Sequence, residues 1–413
     1  MGTGGRTVTL VLCTDDGALL GALPPIDLEE PHWPEVAEIV TVLYQRYGVG
    51  ATVLRLVEAP EGARAGGSGA YLVEVDRTPE TALAVWPADP LVDHPLRQGW
   101  ARPGGARRDV EWAAAALDTV GLRRTGPARQ VKSWNLSSIW CLPTDHGNTW
   151  LKVVPPMFAH EAAVVACLGS PSVPRVLAGE QGRMLMADIA GADNFSASGR
   201  ALLPMVRMLI DLQLRCIDRV DELLGLGVPD HRLIARAPGL VDVVADHQDA
   251  LEQDELRALD QLLTGLDARC RDIESCGVPE TLAHGDFHPG NVRGPLGAYV
   301  ILDWSDSCVA HPLTDELAFF RPLSAKDRAL VGSAWTSAWR DAVPGCDPDR
   351  AKELLRPLMP LGAALTYAEF CAAIEPDERV YHAIDVHSAL KDAAAIASRT
   401  EAKGSAIGAC VVS

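Results

Sequence analysis

Asp286 and Asn291 both lie in the short polar stretch His284-Gly285-Asp286-Phe287-His288-Pro289-Gly290-Asn291, whose glycines and proline predict a tight loop. The apolar run Tyr299-Val300-Ile301-Leu302 reads as a strand and ends on Asp303. Two carboxylates and an amide in this order suit phosphoryl transfer from a metal nucleotide. One carboxylate orients the attacking hydroxyl and takes its proton, while the amide oxygen and the second carboxylate hold Mg²⁺ against the phosphates. Such catalysis is mainly positioning and charge neutralisation, so a few oxygens on a rigid loop suffice. A polar turn and a buried strand whose aspartate caps a helix is the competing reading. It leaves the pairing of the two motifs at this spacing unexplained.

His-Gly-Asp-Phe-His-Pro-Gly-Asn followed by Ile-Leu-Asp-Trp resembles the catalytic loop and metal aspartate of the aminoglycoside phosphotransferase / choline kinase family, small-molecule kinases with a protein-kinase-like fold. Asp306, His311, Pro312 and Asp315 resemble that family's next segment, in which Pro-x-x-Asp opens a helix. The likeness covers roughly residues 125–400. It implies Asp286 as base, Asn291 and Asp303 as metal ligands, and ATP with Mg²⁺ as the phosphoryl source.

The elements that must position these groups come earlier in the chain. Gln130–Trp134, Ile139–Pro143 and Thr149–Val154 read as three antiparallel strands, with Asp145-His146-Gly147-Asn148 as the turn between the last two. Lys152 sits inside the third strand, an unusual place for a lysine. The resemblance implies that it meets the α- and β-phosphates and that Glu161, opening a helix to Leu168, is its partner. The first turn, Ser133-Trp134-Asn135-Leu136-Ser137-Ser138, has no glycine, and Ser137 or Ser138 is the expected phosphate contact. Met184–Gly191 resembles the family's hinge, with the Ala187 carbonyl and the Ile189 N–H facing the adenine edge. Readout by backbone does not separate ATP from GTP. Farther on, Ala201–Leu224 reads as one long helix, Leu240–Ile273 as one or two, and Lys326–Ala342, Asp349–Phe370 and Tyr381–Ser398 as three more, with Ser405–Ser413 frayed. Carboxylates within Asp211–Glu222 and Glu369–Glu378 are candidates for an acceptor pocket. His284 is expected to brace the loop rather than act as base.

Before residue 90 the order is a hairpin (Thr7–Cys13, Ala18–Leu23), a helix (Glu35–Tyr47) stopped by Gly48, and strands Val49–Val57 and Ala70–Val75. That order resembles a Nudix domain, and a generic α+β domain fits equally. The helix positions that would carry Nudix metal carboxylates hold Thr41, Val42, Gln45 and Arg46 instead, so Nudix hydrolysis is not expected. A structural, dimerising (homodimer) or substrate-gating role is left for this domain. The expected organisation is 1–90, a small α+β domain; 91–124, a proline-punctuated linker and helix; 125–187, a kinase N-lobe with an antiparallel sheet; and 188–413, a helical C-lobe. The fold class is α+β, with a bilobal protein-kinase-like domain.

The 413 residues carry 37 Lys+Arg against 55 Asp+Glu, a net charge of −18. A nucleic acid held by a basic face is therefore not expected; the negative charge reads first as solubility, and a cationic substrate is the alternative it would suit. Ten scattered cysteines with no Cys-x-x-Cys pair read as reduced thiols, and no apolar run is long enough to span a bilayer. With no evident signal peptide, the chain reads as cytoplasmic. The expected reaction is transfer of the γ-phosphoryl of ATP to a hydroxyl of a small molecule. The resemblance points to an aminoglycoside-like or nucleoside-type antibiotic, with a sugar or amino alcohol, or a silent nucleotide-binding regulator, as the alternatives.

Overall fold

The computed structural model describes residues 5–60 and 65–410. The chain divides into two compact units. The first combines the chain up to Ala162 with Arg175–Asp188 and Phe370–Ile384; the second holds Ala163–Pro174, Ile189–Glu369 and the chain from Asp385 onward.

The first unit contains two sheets. One is built from β1 (Arg6–Cys13), β2 (Leu19–Ala22), β3 (Ile26–Leu28), β4 (Ala51–Glu58) and β5 (Gly67–Val75), with α1 (Ala37–Tyr47) between β3 and β4. The apolar and β-branched β1 lies inside the sheet, antiparallel to β2 and β3 and parallel to β5. Ile39 and Leu43, four apart on α1, are buried with Val8, Leu10, Val53 and Tyr71. Gly48 ends α1 at φ 66°, and its N–H reaches the Tyr44 carbonyl. The carboxylate of Glu38 on α1 accepts the backbone N–H groups of Glu29 and Glu30. The three-residue β3 is too short to show a period in the sequence.

After α2 (Gly105–Thr119) comes the second sheet, from β6 (Arg129–Trp134), β7 (Ser137–Thr144), β8 (Gly147–Val153), β9 (Val176–Glu180) and β10 (Arg183–Ala187), in the order β6-β7-β8-β10-β9 and antiparallel throughout. Ala113 and Leu117 of α2 pack on Trp140, Leu142, Leu151 and Leu185. α3 (Glu161–Leu168) follows β8. The two sheets are tied by the Gln130 side-chain amide, which accepts from the Val53 N–H and donates to the Val53 carbonyl, both at 2.8 Å.

A strap from the far end of the chain completes this unit. It carries the 3-10 turn Pro376–Tyr381, and Tyr381 lies in the core of the first sheet. Buried Glu375 makes a forked ion pair with buried Arg97, the closest contact being 2.7 Å. Arg55 reaches Asp377 at 3.4 Å.

The second unit is mostly helical. Its helices are α4 (Leu202–Cys216), α5 (Val220–Gly225), α6 (Leu233–Asp246), α7 (Gln253–Thr264), α8 (Leu266–Ser275), α9 (Leu313–Phe319), α10 (Ala325–Ala342), α11 (Pro348–Leu355), α12 (Leu358–Ala373) and α13 (Ala383–Cys410). Two short ladders join β11 (Thr281–Ala283) to β14 (Cys308–Ala310) and β12 (Val292–Arg293) to β13 (Val300–Ile301). The helix expected over 201–224 is broken: Ile217–Arg219 tightens to a 3-10 turn between α4 and α5. Asp349–Phe370 is two helices, parted at Pro357, which has no N–H to give. α6, α7 and α8 replace the one or two helices expected over 240–273, and α13 runs into the tail to Cys410. Among the described residues no helix is long and apolar enough to cross a membrane.

Removing one partner of a buried ion pair strands the other. Glu375→Ala should therefore cost about 3–5 kcal/mol in guanidinium unfolding. A loss below about 1 kcal/mol would show that the pair does not hold the strap.

Candidate active site

The loop that carries Asp286 is fixed from beneath. β11 leads into it and β14 leaves the segment that follows, so their pairing closes its base. Gly285 has φ 84°, and a Cβ there would lie 2.1 Å from the Asp306 carbonyl oxygen, so only glycine fits. Phe287 is fully buried, stacked on Phe319 of α9 at 4.8 Å and edge-on to Trp335 of α10. Asp315 of α9, also fully buried, accepts the N–H groups of His284 (2.8 Å) and Gly285 (2.9 Å) and the Gln213 amide (2.9 Å). Burial outweighs these donors and pushes its carboxyl up to about 7.

Within the loop, Asn291 donates from Nδ2 to the Asp286 carbonyl (2.9 Å) and to Asp286 Oδ2 (3.3 Å). Those two bonds orient the amide through its nitrogen, and its oxygen is of a kind that could accept a cation. His288 Nδ1 accepts the Gly290 N–H, and its Nε2 stands 3.6 Å from Asp286 Oδ2. The Asp286 side chain itself is about half exposed. The buried ring of His284 joins this loop to the residue that follows β13: Nδ1 accepts the Asp286 N–H (3.3 Å), and Nε2 lies 2.8 Å from the Leu302 carbonyl. One acceptor and one donor nitrogen define a neutral tautomer, and burial lowers its proton affinity in the same sense. His284 thus braces the loop, as expected. Asp303, directly after Leu302, has φ 61°, and among the described residues no other non-glycine has positive φ. Aspartate takes this left-handed conformation at a modest cost, and such outliers cluster at functional sites.

No group of three or more His, Cys, Asp or Glu side chains able to hold a metal occurs among the described residues. One carboxylate (Asp303) and one amide oxygen (Asn291) suit Mg²⁺, which keeps waters and phosphate oxygens in its shell.

In the first unit, Lys152 of β8 and Glu161, the first residue of α3, are both buried and meet at 2.8 Å. Ala187 ends β10, and its N–H donates to the Arg175 carbonyl. The Ile189 carbonyl, in the second unit, accepts from Arg293 Nε at 2.9 Å. Ser137 and Ser138 are buried, and their hydroxyl oxygens accept the indole N–H groups of Trp134 and Trp140. Four of the candidate acceptor carboxylates are engaged in ion pairs: Glu222 with Arg219, Glu369 with Arg236, Glu375 with Arg97 and Asp377 with Arg55.

Two residues at the loop escape sequence reasoning. Asp315 was legible only as a helix-opening aspartate. Phe195 gave no signal: it is 67% exposed, and its ring stands edge-on to His288 at 6.5 Å. Asn194 holds it there by donating to the Val292 and Gly294 carbonyls, and a Cβ on Gly290 would come within 3.0 Å of the Phe195 ring.

A sheet-rich N-terminal part, a helical C-terminal part and this loop define an ATP-dependent small-molecule phosphotransferase with a protein-kinase-like fold. The chain belongs to the phosphotransferase enzyme family APH, whose profile matches residues 144–354, just over half its length. No curated protein matches it. Among solved structures it is similar to a macrolide 2'-phosphotransferase from Brachybacterium faecium (16% identity, 67% of this chain and 98% of that one, TM-score 0.48). It is also similar to a choline kinase from Streptococcus pneumoniae (14%, 69% and 99%, 0.47) and an ethanolamine kinase from Plasmodium vivax (11%, 64% and 82%, 0.44). Likenesses this distant carry neither substrate nor mechanism to this chain. The family match begins at residue 144, so it does not bear on the Nudix likeness of the N-terminal sheet.

Gly285→Ala should lower the unfolding midpoint and abolish phosphoryl transfer, since either the loop or the Asp306 backbone must move. Wild-type turnover with an unchanged midpoint would contradict the packing described. The raised Asp315 carboxyl fixes a pH slope. Between an unfolded value near 4 and the folded value of about 7, the folded state keeps a proton that the unfolded state gives up. Stability therefore falls as pH rises through that window, by up to about 1.4 kcal/mol per pH unit from this group. Asp315→Asn should remove that part of the slope when unfolding is compared at pH 5 and pH 7. An identical slope in both proteins would refute the assignment.

Proposed function

We propose that this chain transfers the γ-phosphoryl of ATP, with Mg²⁺, to a hydroxyl of a ring-bearing small molecule, with an aminoglycoside-like or nucleoside-type antibiotic as the leading acceptor. The observation that carries the reaction is the Asp286–Asn291 loop, locked by His284 to the residue before left-handed Asp303. Asp286 aligns the acceptor hydroxyl and receives its proton as the acceptor oxygen bonds to the γ-phosphorus. The bond from that phosphorus to the β,γ-bridging oxygen breaks, and ADP leaves. Asn291 and Asp303 would hold Mg²⁺, which would neutralise charge on the phosphates when bound. Lys152, oriented by Glu161, takes the α- and β-phosphates, and the backbone of Ala187 and Ile189 meets the base.

The acceptor class draws its support from Phe195. An exposed aromatic ring edge-on to His288 offers a flat apolar surface to a cyclic substrate. The chain's net charge of −18 favours a cationic one.

The test is a mass screen with Mg·ATP against hydroxylated antibiotics, sugars and amino alcohols, seeking addition of one phosphoryl group. Asp286→Ala should keep its fold and its nucleotide affinity while turnover falls by about 10²–10⁴ or more. Turnover near wild type would remove Asp286 from the role of base. Phosphorylation confined to acyclic amino alcohols would replace the antibiotic reading with a metabolite kinase.

A further inference from the structure

The β6–β7 turn is the place where kinases cover the nucleotide phosphates, usually with glycines that let the backbone close on the anion. Here the tip is Asn135-Leu136, between the paired residues Trp134 and Ser137, and contains no glycine. A hairpin tip is ordinarily a solvated, mobile piece of chain. This one is not: Asn135 is 0% exposed and Leu136 8%.

The contacts that enclose it come from two distant stretches of the first unit, the strap and the linker, and from β6 itself. Asn135 Nδ2 donates to the Glu378 carbonyl at 3.3 Å, and its Oδ1 lies 3.4 Å from His382 Nε2. The Trp134 ring stands edge-on to Tyr381 at 5.7 Å and tilted against His382 at 5.7 Å. The Trp134 carbonyl accepts the indole N–H of Trp100, from the linker, at 3.2 Å. Lys132 Nζ lies 5.1 Å from the Trp134 ring centre. The strap that supplies Glu378, Tyr381 and His382 is anchored in turn: Tyr381 in the core of the N-terminal sheet, Glu375 on Arg97, Asp377 on Arg55.

We propose that the N-terminal α+β domain and the strap form a brace that presets the Asn135–Leu136 turn for the nucleotide phosphates, with Asn135 as its positioning residue. This rests on the kinase reading above. A glycine-rich loop closes on phosphate by flexing, and ordering it opposes binding. A turn already held in place loses little freedom when the anion arrives. The brace also gives the N-terminal domain a function that needs no metal site of its own, in keeping with Thr41, Val42, Gln45 and Arg46 on α1.

The test compares Mg·ATP with adenosine, which has the base and ribose but no phosphate, as ligands of the full-length protein by calorimetry. Backbone hydrogen exchange over 133–138 is followed in parallel. For Asn135→Ala the Kd for Mg·ATP should rise about tenfold, the equivalent of one lost hydrogen bond. The Kd for adenosine should stay within twofold, and exchange over 133–138 should quicken while the rest of the second sheet is unchanged. Asn135→Ser stays neutral and polar but is too short to reach the Glu378 carbonyl; it should show the same split and serves if the alanine variant does not fold. An unchanged Mg·ATP affinity, or equal weakening for both ligands, would overturn the brace. Wild-type protein that binds adenosine but not Mg·ATP, or neither, would overturn the kinase reading itself, a result separable from the others because it appears before any substitution.

Discussion

The neutral imidazole of His284 ties together two backbone segments that have to stay in register for the site to exist. One nitrogen receives the N–H of Asp286; the other lies on the carbonyl of Leu302, the residue before Asp303. The ring is wholly buried and packed against Trp304 at 4.7 Å, so neither bond is exchanged with water. A charged imidazolium would have two donors and would face the Asp286 N–H with a third, which burial and geometry both oppose. Around this ring the remaining constraints are arranged in sequence. Asp315 holds the amides just before Asp286, Phe287 plugs the loop into α9 and α10, and Gly285 makes the turn that lets His284 stay buried while Asp286 reaches the surface.

Much of this was legible because it is local. His284 to Asn291 is one continuous stretch, and the strand to Asp303 follows after a short connection, so residue order alone proposes the grouping. Lys152 and Glu161 were legible for the same reason: a lysine in a strand interior and a glutamate opening the next helix are separated by a single connection and meet at 2.8 Å. The helix break at Ile217–Arg219 was hidden by an apolar pattern that runs on through the 3-10 turn, and the break at Pro357 was missed because the apolar pattern on either side was read as one helix.

What the sequence could not display are contacts between residues far apart in it. Arg97 and Glu375 are 278 residues apart, and Asn135 and Glu378 are 243. A buried ion pair of this kind leaves no periodic mark, since each member resembles an ordinary surface charge in its own segment. Phe195 was silent for a related reason. Its significance lies in being exposed, and exposure depends on what Asn194, Gly290 and His288 leave open around it.

The interleaving of the two units bears on how the chain comes to be folded at all. During synthesis the strands and helix of the N-terminal sheet emerge first, but Tyr381, which fills their core, is translated only after nearly the whole chain has left the ribosome. Until then the emerging sheet carries an open apolar hollow and an unpaired Arg97. No single cut in the chain therefore separates the two units, since each is assembled from segments before and after the other.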